Sequence, residues 1–86
     1  MSISKISIRQ IKAARSLLGW SQDDLAERSG VSKPTIGRLE SQDAETVGGR
    51  AETGGALVAA LEKAGVEFIA ENGGGAGVRM KRRRKR

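Results

Sequence analysis

Apolar residues recur at helical spacing in four stretches of the chain and give way near its end to short β-rich runs. Ile8, Ile11, Ala14, Leu17 and Leu18 fall on one side of a helix predicted over about 8–18. Ser7 precedes it as an N-cap, Gln10 stands three residues later as a capping box requires, and Ile6 and Ile11 occupy hydrophobic-staple positions. Gly19 supplies the left-handed stop. A second helix starts after Ser21, whose hydroxyl is placed to cap the amide of Asp24; a negative charge there suits a helix N-terminus. Trp20 and Leu25 form its staple, Leu25 and Ala26 face inward, and it ends near Ser29 with Gly30 as the turn.

A third helix starts after Ser32, admits Pro34 in its first turn, where a missing N–H costs nothing, and buries Ile36 and Leu39. Gly37 in its middle costs up to ~1 kcal/mol relative to Ala. Residues 41–50, with Gly48 and Gly49, read as a loop. A fourth helix lies within 51–64, with Leu57, Val58, Ala60, Leu61 and Ala64 as its apolar face and Gly65 as its end. Val66-Glu67-Phe68-Ile69 and the run from Ala76 to Met80 are β-rich, and the glycine-rich stretch between them is a turn signal. They predict a hairpin, which is rarely stable alone and must pack on the helices, on a second subunit, or on both.

Charge divides the chain differently. Residues 1–78 carry nine basic and ten acidic residues, and seven further cations crowd into residues 79–86. Such a run repels itself, so a disordered tail is expected, and beside a polyanion it becomes a source of affinity through counterion release. The chain has no cysteine and no histidine, which removes disulfides, thiol chemistry and the usual zinc ligands. No metal, cofactor or catalytic site is expected; Asp23 with Glu27 reads as a solvated face, and ENGGGAG lacks the ending of a phosphate-binding loop. No apolar run approaches the roughly 20 residues of a membrane span, and the N-terminus does not read as a signal peptide. A soluble protein of the cytoplasm, held with the nucleoid, is the expectation.

The stretch from Gln22 to Glu40 carries the most information. Two short helices meet at a small residue, Ala26, turn sharply at Gly30, and close a small core from Leu25, Val31, Ile36 and Leu39. Ser29 departs from the apolar residue common at its position. This spacing is that of a helix-turn-helix, in which the second helix is offered to a DNA groove.

The segment from Arg15 to Glu40 resembles the Cro/repressor-type helix-turn-helix family, also called the xenobiotic-response-element type. The resemblance rests on Arg15, Leu18, Gly19, Ser21-Gln22, Leu25-Ala26, Gly30-Val31-Ser32, Ile36 and Leu39-Glu40. It implies that Gln22 contacts phosphate and braces the recognition helix, which Ser32, Lys33, Pro34 and Thr35 open. It also implies that Lys33 and Arg38 read base edges in the major groove, and both suit guanine O6 and N7. Ser32 and Thr35 suit phosphate, helped by the helix N-terminus. Arg15 and Glu40 stand where relatives form a structural salt bridge. Relatives usually carry a fifth helix after the fourth, where this sequence offers a hairpin and a basic tail, and a glycine directly after the Glu40-Ser41 pair, where this sequence has Gln42.

The expected architecture is mainly α: a four-helix repressor-like helix-turn-helix domain over residues 1–65, a β-hairpin over 66–80 and a basic tail over 81–86. Its expected function is sequence-specific DNA binding by a bacterial transcriptional regulator, a repressor or autoregulator, and not an enzyme. Arg82, Arg83 and Arg84 are candidate DNA contacts in the tail. One recognition helix reads few base pairs, so a homodimer on double-stranded DNA is expected, with Phe68, Ile69 and Val78 as its candidate interface. The alternative is an antitoxin- or antiactivator-like module that binds a partner protein and only secondarily DNA.

Overall fold

Local capping chemistry sets the boundaries of the first two helices. The structure, a computed structural model, describes residues 6–42, 51–70 and 73–81. Helix α1 spans Ile8–Leu18, and Ser7 and Gln10 form a reciprocal capping box at its start. Gly19 ends it at φ 71°, a conformation a residue with a Cβ rarely adopts. Helix α2 spans Gln22–Ser29, opened by a second capping box between Ser21 and Asp24. That box holds the Asp24 carboxyl below its usual range, chiefly through the Ser21 backbone N–H. Helix α3 spans Lys33–Gln42 and α4 spans Ala51–Lys63.

Strands β1 (Val66–Ile69) and β2 (Gly77–Met80) then pair antiparallel, with Val66 opposite Met80 and Ile69 opposite Gly77. Lys81, placed by the sequence at the head of the tail, donates its backbone N–H to Gly65 O at 2.7 Å and carries the register past Met80. The architecture is thus four helices followed by a two-stranded hairpin. The described helices include none long and apolar enough to cross a membrane.

Ile6, Ile8, Ile11, Ala14, Leu25, Ile36, Leu57, Val58, Ala60, Leu61, Val66 and Phe68 share one buried cluster. Leu18, Trp20, Ala26, Val31, Leu39 and Val78 pack on its margin. The hairpin therefore joins the helical core. A buried glutamine helps tie it there: Gln10 Nε2 donates to Ile69 O (3.3 Å) and Gly77 O (3.0 Å), while Gln10 Oε1 accepts from Ser7 N–H. One side chain thus serves the cap of α1 and the docking of the hairpin.

Three sequence expectations need correction. Leu17 is 49% exposed, not part of the buried face. It lies about 100° around the helix from Leu18, which takes the inward position. Ser41 and Gln42 belong to α3 rather than to a loop. The Ser41 hydroxyl donates to Arg38 O (3.1 Å), which suits the final turn; residues 43–50 lie outside the described residues. Phe68 and Ile69 cannot line one surface together, because neighbours on a strand face opposite sides. Phe68 is buried with its cross-strand partner Val78 packed against the core, so neither presents an open apolar surface.

Candidate nucleic-acid interface

The angle between α2 and α3 comes from a short and well-satisfied turn. Gly30 takes φ 79° and donates its N–H to Ala26 O at 2.9 Å. Ser29, which departs from the usual apolar residue, uses its hydroxyl to accept the Val31 N–H at 3.1 Å. A polar side chain thus satisfies a backbone donor as the chain leaves the helix.

The first turn of α3 is held by Ser32. Its hydroxyl accepts from Thr35 N–H at 3.4 Å and donates to Thr35 Oγ1 at 2.9 Å. Ile36 and Glu40 face inward, whereas Lys33, Pro34, Arg38 and Ser41 are exposed. Their spacing puts these four on one stripe of the helix. Thr35 is half-buried at its edge. Gly37 lies within the stripe, and a Cβ there would meet Gln22 Oε1 at 3.6 Å, an ordinary contact. The glycine leaves room beside Gln22 without being sterically required.

Behind the stripe, a buried polar knot joins α1, α2 and α3. Arg15 Nε donates to Glu40 Oε2 (2.9 Å) and Arg15 Nη2 to Glu40 Oε1 (2.8 Å), a two-pronged pair of the kind guanidinium makes best. Arg15 Nη1 donates to Trp20 O (2.9 Å) and Gln22 Nε2 to Glu40 Oε1 (2.9 Å). Glu40 is 5% exposed. Burial pushes its carboxyl up, but the hydrogen bonds from Arg15 and Gln22 outweigh this and leave it below its ordinary range. Gln22 therefore orients α3 through Glu40 in the free protein. At the back of α2, the Arg28 guanidinium stacks 4.9 Å over the Trp20 ring, covering the half-buried indole.

Lys33, Pro34 and Arg38 lie on the exposed stripe of α3, Ser32 is exposed just before it, Thr35 sits at its edge, and Gln22 reaches from α2 to the side of Gly37. Arg82, Arg83 and Arg84 lie outside the described residues. One feature of the interface was not legible in the sequence: Lys33 Nζ forms an ion pair with Asp23 Oδ1 at 3.3 Å. The two residues are on different helices, and no local spacing rule joins them.

An exposed helix with two cations, joined to the preceding helix by a tight glycine turn, is the arrangement of a helix-turn-helix. Residues 11–46 match the family model described as Helix-turn-helix. The match runs over most of α1 and all of α2 and α3, so this segment is similar to the Cro/repressor-type helix-turn-helix family of DNA-binding transcription regulators. No curated protein matches the chain.

Proposed function

We propose that this protein is a sequence-specific repressor that occupies operator DNA, with α3 in the major groove. The observation that carries the reading is the division of α3: Ile36 and Glu40 are buried while Lys33, Pro34 and Arg38 are exposed. In this reading Lys33 and Arg38 contact guanine edges, and Ser32, Pro34 and Thr35 lie against the phosphate backbone at the start of the helix. Gln22 braces α3 from behind and uses its remaining amide hydrogen on phosphate. Arg82, Arg83 and Arg84 add affinity without sequence information.

A homodimer fits this reading, since paired half-sites supply the discrimination that one helix cannot. Ile69 is half-buried, as is Glu67, on the side of β1 that faces away from the core, and as the apolar residue there it is the natural centre of a hairpin-mediated contact.

The test is to select duplexes from a randomised library with the full-length protein and repeat the selection with Arg38→Ala. A consensus that loses one specified base position, at a cost of about 1–3 kcal/mol, supports the reading. Failure to enrich any sequence rejects it and moves the partner-protein module ahead.

A further inference from the structure

One cation of this interface and one behind it are held by carboxylates in opposite ways. Arg15 is locked to Glu40 in a buried, two-pronged pair. Lys33 meets Asp23 through one contact at 3.3 Å, with side chains 55% and 72% exposed. Asp23 has no competing role in the cap, because Asp24 and Ser21 complete the capping box. Lys33 opens α3, on the exposed stripe with Arg38.

We infer that Asp23 is a positioning residue that withholds Lys33 from phosphates and yields it to a matching base edge, so that it sets the discrimination of the interface. The inference rests on α3 being the base-reading helix. Non-specific affinity comes from cations that neutralise phosphates and release counterions. A lysine paired with a carboxylate of its own molecule adds little to that count. A phosphate offers Lys33 a second anion in place of the first and leaves the Asp23 carboxylate beside a like charge. A guanine edge offers two neutral acceptors, O6 and N7, without that repulsion. The pair must be weak enough to open, and exposed ion pairs are; a buried partner such as Glu40 does not release its cation.

The test compares full-length wild type and Asp23→Asn on a scrambled duplex and on a duplex selected by the wild type, across a salt series. Asp23→Asn is expected to bind the scrambled duplex about two- to fivefold more tightly. Its log–log salt slope should steepen by about 0.9, one additional phosphate contact. Affinity for the selected duplex changes less, so the ratio between the duplexes falls. Asp23→Glu restores the wild-type slope, and in a Lys33→Ala background Asp23→Asn has no effect. An unchanged slope overturns the inference, as does tightening that persists without Lys33, because Asp23 would then act on phosphate directly. A wild type with no preference between the duplexes overturns the reading of α3 and the inference with it; a retained preference with an unchanged slope overturns the inference alone.

Discussion

Arg15 reaches Glu40 with two nitrogens and Trp20 O with a third, so its loss strands a buried carboxylate. Removing one partner of such a pair costs about 3 kcal/mol. For a domain of this size Arg15→Ala should therefore lower Tm by roughly 12–24 °C. Calorimetry at neutral pH checks this, and a shift of a degree or two would mean that the knot is not structural. Acid probes the same carboxylate. The folded pKa of Glu40 lies below its ordinary 4.5, so its contribution to stability is complete above that value and is lost as pH falls through the folded pKa. Glu40→Gln should be destabilised at pH 7 yet lose less further stability on acidification than the wild type. Parallel acid profiles would contradict this assignment.

Single side chains also decide how elements dock. Gln10→Ala removes two hydrogen bonds from α1 to the hairpin and should cost about 1–2 kcal/mol. Amide exchange should accelerate more in β1 and β2 than in α2 and α3; uniform acceleration would show that Gln10 does not specifically hold the hairpin. In α3, Gly37→Ala replaces a poor helix residue where a Cβ makes only ordinary contact, and should raise stability by up to ~1 kcal/mol in urea titration. A fall would mean that the Gln22 side chain cannot tolerate the methyl group.

Element boundaries were legible because their causes are local. Ser7 with Gln10, Ser21 with Asp24, and the glycines at 19 and 30 act within one turn of their own positions. The contacts that join elements were less legible. Gln10 meets carbonyls of Ile69 and Gly77, far along the chain. Leu17 matches the apolar pattern of α1, but among the described residues no other element covers it. Phe68 reads as surface-capable until strand alternation turns it into the core beside Val66. Within the candidate interface, the motif placed Lys33 and Arg38 on α3, whereas the partner of Lys33 emerged only from the crossing of α2 and α3.

At the scale of the whole molecule, the outer face of the hairpin carries Ile69 and the cross-strand pair of Arg79 with Glu67 (3.1 Å). That pair holds the Glu67 carboxyl low, chiefly through the Arg79 hydrogen bond. A polar face with one aliphatic residue fits a modest contact between subunits. Sedimentation should show a dimer at micromolar concentration, converted to monomer by Ile69→Asp; a monomeric wild type would remove the hairpin from the dimer account.

A repressor of this design must distinguish one DNA sequence from another. The most direct measurement is the affinity of the full-length protein for its selected duplex and for a scrambled one, at a fixed salt of about 150 mM, because affinity depends steeply on salt. A preference of roughly a thousandfold or more, sharply reduced in Arg38→Ala, is the predicted result. Equal affinity for the two duplexes would contradict it.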